Sequence, residues 1–180
     1  MNRLSAVSFR LRRPGILALW GDLCAESGDA IIELALVIGF LFVPVILGLT
    51  DMGTLMYGYT EISSAAHAGA MVGMPNSTDA SSTNSAITTA ARAEASFFPS
   101  SSVTVTPTPY WVCNTAQGGT QYTGTNAQTN ANAACTSPEY ALEFIQVTVS
   151  APLTLPFHCC GLPASTTLTS TAVMEVEGQQ

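Results

Sequence analysis

An acidic residue, Glu33, is the fourth residue of the long apolar run AIIELALVIGFLFVPVILGL at positions 30–49. A carboxylate in such a segment opposes membrane insertion by roughly 2.5 to 3.5 kcal/mol. A place near a helix N-terminus favours the carboxylate by at most about 2 kcal/mol. The helix position alone therefore does not explain the acid.

A thiol beside an imidazole, Cys159 next to His158, is the other pair that could do chemistry, as an activated nucleophile. Adjacent residues on a strand point to opposite faces, so these two side chains cannot easily share a hydrogen bond. The sequence has no Gly-rich phosphate loop, HExxH or GxSxG motif. The carboxylates are scattered, and Glu175 and Glu177 are expected to face solvent. We therefore expect a protein that is not an enzyme and has no cofactor.

Cysteines lie on both sides of the apolar run, with Cys24 before it and Cys113, Cys135, Cys159 and Cys160 after it. An even set on an exported segment suggests disulfides, with three possible connectivities for four cysteines. A Cys159–Cys160 bond would close a very small, strained ring, so Cys113–Cys135 is the first expected bridge. Free buried thiols are the alternative for some of them. The spacing fits no zinc pattern, and no metal is expected.

The element that must carry Glu33 is a transmembrane helix over residues 30–49. Twenty helical residues at about 1.5 Å each span the ~30 Å hydrocarbon layer. A buried helix of a soluble core is the first alternative, but such helices rarely stay apolar on every face for this length. A cleaved signal peptide is the second, and the polar patch GDLCAESG before a long apolar run disfavours it.

Charge is distributed unevenly around this helix. Four of the five basic residues precede it, and only Arg92 follows it. Positive-inside asymmetry places the N-terminus in the cytoplasm and the rest of the chain outside, as a single-pass protein of the cytoplasmic membrane. The formal net charge of -7, with no lysine, argues against nucleic acid as a partner.

The chain is expected to divide into a cytoplasmic leader (1–28), a transmembrane and extended helix (29–75) and an exported head (76–180). Pro44 lies inside the helix and removes one backbone hydrogen bond, which predicts a kink or a local rearrangement. Beyond the apolar run the helix stays rich in small residues and ends before Pro75, since proline disfavours helix in the residue that precedes it.

Small residues recur every four positions along this helix, at Ala35 and Gly39 and again at Ala65, Gly69 and Gly73. Such stripes let helix backbones approach closely. The alternative is that glycine and alanine are simply common in this helix.

The head is expected to contain one short helix at 87–98 and three strands, at 102–107, 142–150 and 167–177, where β-branched residues alternate with others. The segment between Cys113 and Cys135 is rich in Gly, Thr, Asn and Gln and is expected to be a loop. The fold class is therefore α+β: a long N-terminal transmembrane helix extended outside the membrane, then a small head with a short helix and antiparallel strands.

One short pattern resembles the processing site of type IV prepilins and pseudopilins. It consists of Gly28, four further residues and Glu33, and it follows a basic leader at the start of an apolar helix. The stretch ESGDAIIELALVIGFLFVPVILGLTDMG, with Asp51 and Gly53, and the extension SSAAHAGAMVG are similar to the TadE-like family of the tight-adherence (Flp) pilus system. The resemblance covers about residues 26–73. Three departures favour a minor, TadE-like subunit over a major pilin: His67, Thr54 and Leu34 stand where arginine, a basic residue and tyrosine are common.

This resemblance implies cleavage between Gly28 and Asp29 by a prepilin peptidase. The new amino group of Asp29 could then pair with the Glu33 carboxylate of the same or a neighbouring subunit, and such a pair in lipid would set subunit register. The implied function is a minor pilin-like subunit that helps assemble an adhesive Flp/type IVb pilus, with other pilin-like subunits and inner-membrane assembly proteins as partners. The alternative is a membrane-tethered extracytoplasmic binding module that is not processed as a pilin.

Overall fold

The computed structural model describes residues 28–75, 80, 84–114, 119–158 and 161–177. It shows the predicted α+β fold, in which a long apolar N-terminal helix precedes a head with short helices and a four-stranded antiparallel sheet. The chain divides after Ile46 into two units, which are described separately below. Cys159, Cys160 and the leader with Cys24 lie outside the described residues.

The first helix, α1, runs Gly28–Gly73. Within it, Ile38–Phe42 form a π-helical turn, and the Val43 N–H bonds to the carbonyl of Ile38. This turn lies directly before Pro44, which has no N–H to continue the α-helical pattern. The rearrangement predicted at Pro44 is therefore a π turn, the kind of local adjustment that accommodates proline within a helix.

The head continues with α2 (Ser85–Glu94), β1 (Thr104–Cys113), β2 (Tyr122–Thr123), α3 (Ala127–Ala134), β3 (Ala141–Thr154) and β4 (Ser165–Glu175). The strand order is β2-β1-β3-β4, and all neighbours are antiparallel. The three predicted strands are present, although β1 begins later than predicted and continues to Cys113.

The predicted short helix also has different ends. It begins at Ser85 because the side chain of Asn84 accepts a hydrogen bond from the Ala86 N–H at 2.9 Å, which caps the first turn. It ends at Glu94 instead of continuing to Phe98, and the Ala95 N–H makes the last helical bond, to Ala91.

Burial alternates strictly along β3 from Ala141 to Thr154. Its odd-numbered side chains from Ile145 to Leu153 are buried in one core with the Ala-rich part of α1 and with Ile87 of α2. The even-numbered side chains lie on the opposite face, where Thr148 and Thr171 approach each other at 3.1 Å between hydroxyl oxygens. The sheet thus has one face packed against helices and one face of mixed character, where the rings of Tyr110 and Phe144 also stack.

Three backbone hydrogen bonds at the ends of the strands show which residues of each strand bond to which neighbouring strand. They run from Asn114 N–H to Tyr140 O, from Leu155 N–H to Ala164 O and from Val176 N–H to Glu143 O. Residues of an antiparallel strand alternate between its two neighbours. Even-numbered residues of β1 therefore bond to β3, and the odd-numbered Pro107 and Pro109 lie towards the other edge, where no N–H is required. Odd-numbered residues of β4 point their N–H and C=O groups away from β3.

Candidate functional site

The expected processing site lies at the first turn of α1. Gly28, Asp29 and Glu33 are exposed, and a Cβ built on Gly28 would have nothing within 4 Å. Asp29 and Glu33 are four residues apart on a helix, which places them on the same face. The peptide bond after Gly28 and the Glu33 carboxylate therefore belong to one open segment.

The apolar side chains around Glu33 bury little surface within the chain. Ile31 is 67%, Leu34 59% and Phe40 83% exposed. α1 is long and apolar enough to cross a membrane, and no residue of its most apolar window is buried. A core helix of a soluble protein would bury these side chains, so their exposure within the chain favours the membrane helix over that alternative.

Asp51 lies two residues after the apolar run and is fully buried. Its Oδ1 accepts a hydrogen bond at 3.2 Å from the N–H of Phe157, in the connection between β3 and β4. This bond ties the helix to the end of the sheet hairpin. Sequence reasoning used Asp51 only as part of a family resemblance and missed this contact; the available signal was a lone acid two residues after an apolar run.

The small-residue stripe in the second half of α1 is a packing surface. A Cβ built on Gly69 would lie 3.1 Å from Val147 Cγ1, and one on Gly73 would lie 3.0 Å from Ile145 Cγ1. Both glycines also face Ile87 of α2. The small residues therefore allow the sheet and α2 to pack closely against the backbone of α1. A Cβ built on Gly39, in contrast, would have no atom within 4 Å.

An aromatic cluster joins α1 to the turn after α2. The rings of Tyr57 and Phe97 meet edge to face with centroids 5.2 Å apart, and Phe97 and Phe98 do so at 5.1 Å. A hydrogen bond to Glu61, followed by the negative charge of that residue, raises the pKa of Tyr57. Among the described residues, the buried Oε2 of Glu61 has no hydrogen-bond partner.

The predicted disulfide is present, with Cys113 and Cys135 joined and their Cα atoms 5.5 Å apart. The prediction that the segment between these cysteines is a loop is wrong in part, because the segment contains β2 and α3. Helix α3 buries Ala127 and Ala131 against Trp111 of β1 and Ala141 of β3, in a second small core. The partner Trp111 lies outside the polar segment, which is why local composition did not reveal this helix.

A cleft of about 620 Å³ lies beside α3, and its lining includes Trp111, Gln128, Asn132, Glu139 and Tyr140. Trp111 is only 6% exposed, whereas Tyr140 is 55% exposed. Gln128 and Asn132 are exposed and four residues apart on α3, which places their amides on one face. The cleft therefore combines amide donors and acceptors, one carboxylate and aromatic surface.

A smaller cleft of about 290 Å³ lies on the other side of Trp111 and Gln128, and its wall includes Glu143. Glu143 is 4% exposed. Burial raises the pKa of this carboxyl group to about 7. At neutral pH a larger fraction of this carboxyl group is therefore protonated than of an exposed glutamate.

Among the described residues, the remaining histidines and the last two acids of the chain do not come together in a metal site. His67 and His158 are both exposed, as are Glu175 and Glu177, which agrees with the solvent-facing position predicted for the two acids. Across residues 28–75, 84–114, 119–158 and 161–177, no group of three or more His, Cys, Asp or Glu side chains could hold a metal ion.

The fold and these sites define a class of protein: one helix that can cross a membrane, followed by a small α+β head with an antiparallel sheet. Residues 28–71 match the family described as TadE-like protein, so this part of the chain is a TadE-like domain, as the sequence resemblance indicated. The match includes Gly28, Glu33 and Asp51 and ends within the glycine stripe of α1. No curated protein and no solved structure matches the chain.

Proposed function

We propose that the protein is a minor pilin-like subunit that takes part in assembling an adhesive Flp/type IVb pilus and has no enzymatic activity of its own. The observation that carries this proposal is the TadE-like domain at residues 28–71, because its match begins at the glycine of the expected processing site. The pilin-like role in a tight-adherence pilus is what this family implies.

The proposed location is the inner membrane, with the leader (1–28) in the cytoplasm, the helix (29–75) crossing and leaving the membrane, and the head (76–180) outside. Within the described residues one helix is long and apolar enough to cross a membrane, which supports one crossing. The arginines that precede this helix support the orientation, since cytoplasmic flanks carry the excess of basic residues. A disulfide between Cys113 and Cys135 is consistent with an oxidising compartment for the head.

The proposed maturation step is hydrolysis of the Gly28–Asp29 peptide bond by a prepilin peptidase. The open surroundings of Gly28 give a peptidase access to this bond. Cleavage would leave an α-amino group on Asp29, one helical turn from Glu33. Within a bundle of pilin-like subunits, that amine and the Glu33 carboxylate would neutralise each other, which would offset the cost of an acid in lipid.

Processing is tested by N-terminal sequencing and intact mass of the protein extracted from membranes that contain the prepilin peptidase. We expect a mature chain that begins at Asp29, and Gly28→Val should leave the full-length precursor. Gly39→Val is the matched control, because it places the same substitution elsewhere in α1 and should not affect cleavage. A wild-type chain that begins at Met1, or after residue 49, would refute the pilin assignment.

The role of Glu33 is tested with Glu33→Gln, which keeps the shape and hydrogen bonding of the side chain but removes its charge. Membrane insertion and cleavage should remain, while co-purification with other pilin-like subunits and inner-membrane assembly proteins should fall by roughly tenfold or more. Glu177→Gln, which removes an exposed charge from the head, is the control and should behave as wild type. Normal co-purification and piliation of processed Glu33→Gln would show that no charge pair is needed.

A membrane-tethered binding module that is not processed as a pilin is the second candidate, and the cleft beside α3 is the observation that favours it. The two candidates differ at the N-terminus. An uncleaved chain that binds a ligand through its head would favour the binding module, and cleavage at Gly28 would favour the pilus subunit.

A further inference from the structure

We propose that the cleft between α3 and the segment leading into β3 is a binding site for a neutral saccharide. This function goes beyond a role in pilus assembly, because it belongs to the head and lies outside the TadE-like range 28–71. It also does not depend on processing at Gly28.

The elements that form the cleft are fixed by packing and by the disulfide. Its floor is Trp111 of β1, which is buried in the small core with Ala127 and Ala131 of α3. The disulfide joins the end of β1 to the residue directly after α3, so both walls are covalently linked. A cleft held in this way loses little conformational entropy when a ligand binds.

The cleft is lined by polar side chains that are not needed for the packing of α3. The helix contacts the core through its alanines, while Gln128 and Asn132 are exposed on the cleft side. Each amide offers both a donor and an acceptor, and the Glu139 carboxylate offers acceptors. Adjacent hydroxyls of a sugar ring need such mixed partners, and Tyr140 supplies aromatic surface for the apolar C–H face of the ring.

Size and charge narrow the ligand class. A volume of about 620 Å³ lies within the usual range for small-molecule sites and suits one or two sugar rings. An anionic ligand would meet the Glu139 carboxylate and no compensating cation, because Arg92 is the only basic residue after the membrane segment. The Arg92 Nε donates to the carbonyl of Val103, which does not line the cleft. These features favour a neutral saccharide over a phosphate or an acidic sugar.

Trp111 provides the readout for a direct test. The chain has two tryptophans, and Trp20→Phe in the leader leaves Trp111 as the only tryptophan, which can be excited selectively over the tyrosines. The full-length protein, in a detergent without sugar groups, is titrated with glucose, N-acetylglucosamine, cellobiose and chitobiose, and with glucuronate as the anionic comparison. We expect a saturable change in Trp111 fluorescence with at least one neutral sugar and none with glucuronate.

Variants then locate the binding. Asn132→Ala and Tyr140→Ala should each weaken binding by about tenfold, the effect of losing one well-placed polar or stacking contact. Asn130→Ala is the matched control, because the same side chain is removed from the same helix at a position that does not line the cleft. It should bind within about twofold of the parent. Absence of saturable binding to every neutral sugar, a response to glucuronate alone, or equal loss in Asn130→Ala and Asn132→Ala would each overturn the proposal.

This result is independent of the proposed pilus role. Binding is measured on purified protein, so a chain that is never cleaved at Gly28 could still bind the sugar. Conversely, a correctly processed chain that binds no sugar would refute only the saccharide site.

Discussion

Helix α1 contains two stretches with the same spacing of small residues and very different surroundings. Ala35 and Gly39 lie in the segment before Ile46, where the large apolar side chains are exposed. Gly69 and Gly73 lie in the head unit, where side chains of β3 and α2 come within 3.4 Å of a built Cβ. The small-xxx-small pattern therefore indicates a close approach only where another element of the chain is present to use it.

The largest expected effect tests this difference with one substitution at two sites. Gly69→Leu places a side chain where Val147 and Ala91 already lie, and overpacking of this kind costs about 3 kcal/mol. The melting temperature of the head, followed by near-UV circular dichroism in detergent, should fall by roughly 10 °C. Gly39→Leu should leave it unchanged. Equal melting temperatures for both variants would contradict the packing assigned to Gly69.

A second comparison concerns two carboxylates, Glu33 in the exposed apolar segment and Glu143 inside the head. Burial raises the pKa of Glu143 from 4.5 to about 7, so the folded state binds a proton more tightly than the unfolded state. This contribution to stability is complete below pH 4.5 and is lost as the pH rises to about 7.

Glu143→Gln removes the titration but keeps a side chain of similar size and polarity. The melting temperature of this variant should depend less on pH between 4.5 and 7 than that of the wild type, and its relative gain should be largest at pH 7. Glu33→Gln is the comparison and should leave the profile of the head unchanged. A Glu143→Gln profile that parallels the wild type would show that Glu143 does not titrate in this range.

The smallest expected effect is at Asp51, two residues after the apolar run. Asp51→Ala removes the acceptor for the Phe157 N–H and should destabilise the head by about 1–3 kcal/mol. Asp51→Asn keeps an oxygen that can accept this bond and should recover part of the loss. The local measurement is hydrogen exchange of the Phe157 amide, which should be faster in Asp51→Ala than in Asp51→Asn. Unchanged exchange in both variants would show that Asp51 does not protect this amide.

Features that depend on local pattern could be predicted from the sequence. The apolar run specified a membrane-length helix, the alternation along β3 and β4 specified strands, and the strained geometry of adjacent cysteines left Cys113–Cys135 as the first pair. The processing residues Gly28, Asp29 and Glu33 came from a resemblance, and their role stays a prediction.

Features that depend on distant partners could not be predicted in this way. Helix α3 has only alanines to bury and needs Trp111 from β1 to form its core. The middle of β1 contains Pro107 and Pro109, which argue against a strand unless the direction of the backbone hydrogen bonds is known. The cleft beside α3 arises from the contact with Trp111, and Asp51 depends on another distant residue, Phe157.

The outer edge of β4 has a further consequence for solubility. Among the described residues no strand pairs with this edge, and its odd-numbered residues direct their backbone groups outwards along a strand of 11 residues without proline or lysine, a surface on which a second β4 could pair. Within the head, α1 runs antiparallel to β3, because Gly58 lies beside Leu153 and Gly69 beside Val147. Antiparallel pairing of two β4 edges would therefore require the helices of the two copies to point in opposite directions. This edge is therefore a place where heads should associate with each other, with their α1 segments pointing in opposite directions.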